Sequence, residues 1–317
     1  MAQVHGGIGV DTPAGCCRRR VEVPAAAQLE SDRIDMRSTH SNHGLASVRT
    51  VIEPPNGWRM LDVRELWAYR ELLWALTLRD LKVRYKQTVL GVAWAVIQPV
   101  TAMIIFSTIF GLLAGLPSDG YPYPVFVFAG LLPWTFFANA IGTIGGSVVG
   151  SAHLVTKVYF PRLIIPLTSI GSGVVDFTVS AGVLLLLMLY YRVPWGANLA
   201  VVPLLVVGLV VTALGIGVLL AALTVAYRDF RYVIPFLTQM WLFATPVVYP
   251  ASLVPHPWRW ALYLNPMAGW IDGFRAAFLG KPFDLLGLAI SSGVAGILLV
   301  VGVSYFGKVE QRFADII

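Results

Sequence analysis

Few residues of this chain have the types and spacing that catalysis needs. Acid–base or transferase chemistry usually requires clustered carboxylates or histidines with shifted pKa values, whereas His153 and His256 are isolated. Gly302, Gly307 and Lys308 have the glycine and lysine spacing of a phosphate-binding loop, but Val309 replaces the hydroxyl that would hold magnesium. The sequence therefore predicts a chain that is not an enzyme, binds no ATP, Mg²⁺ or other cofactor itself, and has no metal site.

One acidic residue, Asp176, lies inside a long apolar stretch. A charge inside a membrane is costly, so its presence there points to a function. Hydrogen bonding of Asp176 to a neighbouring helix or to a Ser or Thr hydroxyl is an equally good structural explanation, and the sequence leaves both open.

Two polar connections have the composition of partner-binding loops. The first reads SAHLVTKVYFPR at residues 151–162, which predicts a short amphipathic helix stopped by proline. Such a helix can insert into a groove on a soluble partner. Its candidate coupling residues are Leu154, Val155, Thr156, Lys157, Val158, Tyr159, Phe160 and Arg162. The second connection offers Arg228, Asp229 and Arg231. Either loop taken alone is more often a solvated turn.

The elements that must position these residues follow from composition. Of 317 residues 57% are hydrophobic and 13% are charged, about half the charged share of a soluble domain. The sequence predicts an all-α polytopic membrane protein, because each of six apolar stretches is long enough for a tilted transmembrane helix. The predicted spans are residues 90–113, 125–149, 163–191, 199–227, 232–249 and 283–306. The net charge of +6 is not gathered on one basic face, so nucleic acid is not an expected partner.

Polar segments flank the spans. Residues 1–57 have no sustained apolar period and predict a disordered cytoplasmic tail, which carries the adjacent pair Cys16 and Cys17. Residues 58–89 predict an amphipathic helix in the cytoplasmic interface, and residues 307–317 a cytoplasmic C-terminal tail. The basic stripe of that helix includes Arg79, Lys82 and Lys86.

The distribution of Lys and Arg predicts the topology. Thirteen basic residues fall on the side of the interface helix and only four on the other, namely Arg192, Arg259, Arg275 and Lys281. This bias places both termini in the cytoplasm. The aromatic, proline-rich segment 250–282 is too polar for a full span and predicts short re-entrant helices in the last outer loop.

Several motifs occur together in the order of a known family. They are RDLKVRYK at 79–86, KVYFPR at 157–162, YRD at 227–229, TPVVYP at 245–250, LNP at 264–266 and EQRFAD at 310–315. Over residues 58–317 the chain resembles the permease subunits of type-2 ABC exporters for polysaccharides, the branch that moves lipid-linked O-antigen or teichoic-acid polymers. The long N-terminal tail departs from the family pattern.

The resemblance implies a homodimeric channel of six-span subunits in the inner membrane. Two copies of a separate nucleotide-binding subunit would bind ATP and Mg²⁺, dock at the helix of residues 151–160, and drive a polyprenyl-diphosphate-linked glycan outward. Because aromatic rings line part of such channels, the candidates for glycan contact by position are Trp134, Phe136, Phe137, Phe243 and Tyr249. The alternatives are an ABC exporter of a drug or lipid, a membrane glycan-processing enzyme, and a passive channel or scaffold.

Overall fold

A computed structural model describes residues 63–86, 93–157 and 160–310, with backbone only for residues 63–65, 155, 156 and 256. In these ranges the chain is helical and contains no strand. The predicted tail (1–57), the end of the predicted interface helix (87–89), Val158, Tyr159 and residues 311–317 lie outside the described residues. The helices are α1 (Val63–Ala68), α2 (Arg70–Lys86), α3 (Ala93–Phe106), α4 (Tyr123–Gly150), α5 (Ala152–Lys157), α6 (Ile164–Tyr190), α7 (Val202–Ala226), α8 (Phe230–Ala244), α9 (Arg259–Tyr263), α10 (Pro266–Leu279) and α11 (Leu285–Glu310).

Within the described residues, five helical stretches are long and apolar enough to cross a membrane. They are Ala93–Leu113, Tyr123–Gly150, Ile164–Tyr190, Ala197–Ala226 and Leu285–Glu310. The first includes a π-helical turn at Ser107–Leu113, and the fourth begins with a 3₁₀ turn. The expected fifth span, residues 232–249, is instead the 15-residue helix α8, which ends at Ala244. At 1.5 Å per residue α8 is about 22 Å long, shorter than the hydrocarbon core of about 30 Å.

The helix α2 lies against α6. Its exposed residues include Glu71, Ala75, Arg79, Lys82 and Lys86, which fall on the basic stripe of the sequence pattern. The opposite face, formed by Leu72, Leu73, Leu76 and others, is half-buried. Gly171 of α6 allows a close approach, since a Cβ there would lie 2.2 Å from Cγ2 of Thr77.

The centre of the protein is α4, which packs on α6, α7, α8 and α10. Its first half is fully enclosed: Phe126 and Phe128 have no exposed surface. On the far side, α7 and α11 approach closely because Gly215 and Gly302 meet; a Cβ on Gly302 would lie 2.3 Å from the Gly215 carbonyl oxygen. Small residues at such crossings are how membrane helices gain packing contacts.

The segment between α8 and α11 contains the short helices α9 and α10. The side chain of Asn265 accepts a hydrogen bond from the Met267 N–H at 3.1 Å, Pro266 occupies the first turn, and Gly280 ends α10 in the left-handed conformation at φ 69°. Thirteen of the fourteen residues of α10 are buried. The helix α10 is therefore part of the protein core, packed on α4, α7 and α11, rather than a surface loop.

The tightest packing of α10 is at Gly208 of α7. A Cβ there would lie 2.1 Å from the Trp270 ring, whose Nε1 donates to Thr212 Oγ1 at 2.9 Å. We expect Gly208→Ala to lower the free energy of unfolding by about 1–3 kcal/mol through overpacking. Gly293→Ala is the matched control, because nothing lies within 4 Å of a Cβ at that position. The loss is measured as the thermal midpoint of each detergent-solubilised variant; equal midpoints would contradict the prediction.

Candidate functional site

The first predicted cytoplasmic loop is joined to the interface helices through an apolar cluster. Phe160, Ile164 and Ile165 are buried, and Leu154 of α5 packs against them. The partners on α1, on α2 and at the turn between them are Leu66, Tyr69, Leu72, Leu73 and Leu76. Lys157, in contrast, is exposed at the end of α5. Val155 and Thr156 lie within the helix α5. The loop therefore combines an exposed helix end with an anchor, Phe160, that faces the protein.

The same loop is tied to the end of the last helix. The backbone N–H of Arg162 donates to Glu310 Oε1 at 3.2 Å, and the Arg162 guanidinium Nη1 donates to the Glu310 carbonyl oxygen. Because Glu310 is the last residue of α11, Arg162 serves here as a positioning residue that connects the loop to α11.

The second predicted cytoplasmic loop lies beside the first. Arg228, Asp229 and Arg231 are all exposed. Arg228 and Arg231 line a cleft of about 400 Å³ together with Ala152 of α5. The other lining residues are Val149, Thr224, Val225 and Tyr232. The fold thus brings the two loops, which are about 75 residues apart in sequence, to one cleft with a basic rim.

The intramembrane carboxylate Asp176 is bound by the last turn of α2. Arg84 Nη2 lies 2.8 Å from Asp176 Oδ2, and the Tyr85 hydroxyl donates to Asp176 Oδ1. Arg84 Nη1 also donates to Ser172 Oγ at 3.3 Å. Burial, together with the hydrogen bond to Asp176, raises the pKa of Tyr85 to about 12, so Tyr85 remains the proton donor near neutral pH. The hydrogen bond from Tyr85 matches the structural explanation, bonding to a neighbouring helix, and both partners of Asp176 belong to the RDLKVRYK motif.

Two clefts lie on either side of Arg84. A cleft of about 360 Å³ separates α2 from α4 and α6, and a smaller cavity of about 70 Å³ reaches Trp94 and Phe136. Both are lined by Arg84 and by one face of α4. That face carries Thr135, Asn139 and Thr143 at four-residue spacing. Polar side chains that share one face of a membrane helix normally face protein or a water-filled cavity rather than lipid.

The five aromatic residues predicted to contact glycan do not lie together in the fold. Trp134 and Phe137 are buried, and their rings pack on each other at 5.7 Å; Phe137 also packs on Trp241 at 5.3 Å. Core packing therefore covers both rings in this structure. Phe136 is 4% exposed and lines the smaller cavity, Phe243 is 56% exposed on α8, and Tyr249 is half-buried.

Sequence reasoning counted Arg275 only as an outer basic residue, but it is a central group of the fold. Its side chain is 1% exposed. It donates to the carbonyl oxygens of Pro246 at 2.7 Å and Val247 at 2.5 Å, and to that of Tyr249 at 3.2 Å. The guanidinium carbon lies 3.8 Å from the centre of the Phe126 ring. Burial lowers the pKa of Arg275 to about 10, so it stays cationic and holds the TPVVYP turn on α10.

The chain is similar to known transport permeases over most of its described length. The sequence profile of the ABC-2 type transporter matches residues 71–279. The O-antigen export system permease protein RfbA of Myxococcus xanthus is 31% identical over 258 residues, which cover 80% of this chain and 98% of that protein. RfbA of Klebsiella pneumoniae is 29% identical over 253 residues (78% and 95%).

A more distant relative is also a transport protein. The polysialic acid transport protein KpsM of Escherichia coli is 24% identical over 213 residues, which cover 65% of this chain and 80% of that protein. The profile match spans well over half of the 317 residues, and the predicted resemblance is thereby confirmed. This chain belongs to the ABC-2 type transporter family.

Proposed function

We propose that this chain is the permease subunit of an ATP-driven ABC exporter that moves a polyprenyl-diphosphate-linked polysaccharide across the inner membrane. Two relatives that align over at least 95% of their own length are O-antigen export permeases, and a third is a polysialic acid transport protein. Full-length alignment favours a shared architecture. Polysaccharide is therefore a better supported substrate than a drug or a free lipid.

The cleft at which the two predicted cytoplasmic loops meet is the observation that carries the coupling part of the proposal. Arg228 and Arg231 are exposed on this cleft, and Lys157 is exposed at the end of α5, whose first residue, Ala152, lines the cleft. Together the three side chains provide a basic surface for a soluble partner. Behind this surface, Phe160 packs on α2, and α2 binds Asp176 of α6. Pressure on the loop would therefore move α2 and α6 together. We assign this surface to two separate ATPase subunits, which would hold ATP and Mg²⁺.

The same proposal assigns positions relative to the membrane to α8, to α10 and to both termini. α8 serves as a short sixth membrane segment, and the buried α10 re-enters from the outer side, so both termini lie in the cytoplasm. Only Ile234 is buried in α8, whereas Phe236, Met240 and Phe243 are at least half exposed. We assign this apolar face, and that of α3, to a second copy of the chain and to lipid.

The rival class, a membrane glycan-processing enzyme, is less well supported by the outer segment. The Tyr263 hydroxyl donates to Asp284 Oδ2 at 2.8 Å and lies 3.3 Å from Asp272 Oδ2. Asp284 also accepts from the Gly287 N–H at 3.0 Å, which caps α11. These carboxylates and Arg275 are therefore engaged in positioning α9, α10 and α11.

Charge reversal of Lys157 and of the two arginines of the basic rim tests the docking surface. We expect the triple variant Lys157→Glu, Arg228→Glu and Arg231→Glu to lose most of the ATPase that co-purifies with the permease in mild detergent. Like-charge contacts at an interface typically cost several kcal/mol, whereas these exposed side chains contribute little to folding. The measurement is the molar ratio of ATPase to permease after size-exclusion chromatography.

Arg192→Glu is the matched control, since Arg192 is exposed on the connection between α6 and α7, away from the basic rim. It should leave the ratio unchanged. If an ATPase encoded beside this chain is never retained, the exporter assignment fails. If the ATPase is retained equally by the triple variant, the exporter assignment stands but docking occurs elsewhere.

A further inference from the structure

The cleft of about 360 Å³ between α2, α4 and α6 has the chemistry of a carbohydrate site. Six of its lining side chains are hydroxyls, from Thr143, Ser147, Ser151, Thr168, Ser169 and Ser172. Its other polar side chains are those of Arg79, Asp80 and Arg84. Such a density of hydroxyls is unusual in a chain in which 57% of residues are hydrophobic.

The hydroxyls present mainly acceptor sites to the cleft. Thr143 Oγ1 donates to the Asn139 carbonyl at 2.8 Å, Ser147 Oγ to the Ile144 carbonyl at 2.7 Å, and Ser169 Oγ to the Ile165 carbonyl at 3.2 Å. Each hydroxyl has one proton and two lone pairs. With the proton used by the helix, the lone pairs can accept from the O–H groups of a polyol.

The charges that line the two clefts, which share Arg84, balance. Arg79 pairs with Asp80 at 2.9 Å, and Arg84 pairs with Asp176 at 2.8 Å. An anionic group that approaches either guanidinium is repelled by the carboxylate already paired with it, whereas a neutral polyol can hydrogen-bond to both partners of an intact ion pair. Among the described lining residues, the arrangement therefore selects against negative charge.

The polar surface continues past Arg84 into the smaller cavity, which adds Gln98 and Asn139 as donors and acceptors. Trp94, which is 56% exposed, borders this cavity with an indole ring that can stack on the apolar face of a sugar. From Thr135 to Ser147 the shared face of α4 extends for twelve residues, or about 18 Å. This length exceeds that of a single small molecule and suits a chain.

Building on the proposed function, we propose that the α2–α4–α6 cleft is a binding site for neutral hexose units of the exported glycan. It deepens that function by naming the chemical class of substrate: an uncharged polysaccharide. The site lies beside α2, so occupancy by sugar and movement of the interface helix would influence each other.

Cysteine protection tests the site in the complete transporter. Gly146 lines the cleft, and nothing lies within 4 Å of a Cβ at that position. In a Cys16→Ser, Cys17→Ser background, Gly146→Cys places one thiol in the cleft of the permease–ATPase complex in nanodiscs. The readout is the rate of alkylation by a water-soluble maleimide, with maltoheptaose as the neutral probe and a galacturonate heptamer as the anionic probe.

Maltoheptaose is expected to slow alkylation of the Gly146→Cys thiol about threefold at twice its dissociation constant, since occupancy protects by a factor of one plus ligand over dissociation constant. The galacturonate heptamer should leave the rate unchanged. Gly293→Cys on α11, where a Cβ would also meet nothing and which lines neither cleft, should show no protection by either probe.

A second variant tests the role of charge balance. Asp80→Asn releases the Arg79 guanidinium from its partner, so the galacturonate heptamer should then protect the Gly146→Cys thiol. Equal protection by both probes with Asp80 intact, protection by the anionic probe alone, or no protection would each overturn the inference. ATPase retention is measured on the same sample: its loss defeats the proposed function, whereas retention without protection defeats only the glycan site.

Discussion

Replacement of Arg275 by methionine is expected to lower the stability of the folded permease by about 3 kcal/mol or more, since each buried polar group left without a partner costs about 1–3 kcal/mol. The variant keeps a long side chain but removes the donors to the Pro246, Val247 and Tyr249 carbonyls. Three carbonyl oxygens would then face the core unpaired. The cation over the Phe126 ring at 3.8 Å would also be lost.

The loss is measured as the free energy of unfolding in mixed micelles with increasing denaturing detergent, and as the yield of monodisperse protein. Arg192→Met is the matched control, because the same change at an exposed arginine should shift stability by no more than about 0.5 kcal/mol. Arg275→Lys should fall between wild type and Arg275→Met, since an ammonium reaches fewer carbonyls than the planar guanidinium fork. Wild-type stability of Arg275→Met would show that the turn is held by other contacts.

The role of Arg275 shows where sequence reasoning stopped. Its sequence context identified a basic residue in an outer loop, because local composition cannot reveal that α10 is enclosed by α4, α7 and α11. One indirect signal was available in the sequence: Gly130 on α4, where a Cβ would lie 2.8 Å from Arg275 Nη2. A glycine inside an apolar helix often marks such a close approach, but it does not name the partner.

The long helices were predictable because apolar length alone defines them, and the ends of the five apolar helical stretches lie within about four residues of the predicted spans. The end of α8 was harder to predict, since residues 232–249 are mostly apolar and only the TPVVYP sequence marks the early end at Ala244. Proline at 246 and 250 removes backbone donors and fixes φ, so the chain turns inward towards Arg275 instead of continuing as a helix.

The sequence predicts the loops and residues of the candidate site, but not which of them lie close together in the fold. The loops at 151–162 and 227–232 are identified from charge and motif, whereas their meeting at one cleft depends on the tertiary fold. Trp134 and Phe137 have aromatic rings of the kind that can stack on sugars, yet both side chains are buried in the core. Hydroxyl residues on α4 and α6 drew no attention, because single Ser and Thr side chains are ordinary in membrane helices and only their convergence on one cleft makes a surface.

Loss of the bond between the interface helix and α6 is expected to uncouple transport without unfolding the protein. Asp176→Asn removes the charge that holds Arg84 at 2.8 Å and weakens acceptance from Tyr85. Arg84 is 41% exposed, so water can solvate it and the stability cost should be small. Glycan export should nevertheless fall about tenfold, within the range of 5–150-fold typical of coupling free energies between sites.

The measurement is ATP-dependent appearance of glycan on the outer side, with ATPase retention recorded on the same cells. Thr178→Val, on the same helix and bonded only to its own turn at 2.8 Å, is the matched control and should export normally.

In a double-mutant cycle, Arg84→Gln combined with Asp176→Asn should be no worse than the more severe single change, because both remove one interaction. Additive losses would mean that Arg84 and Asp176 act separately, and normal export by Asp176→Asn would mean that α2 transmits no force through this carboxylate. A non-additive loss with the ATPase still bound is the result that identifies the Arg84–Asp176–Tyr85 cluster as the mechanical link between the cytoplasmic loops and the membrane helices.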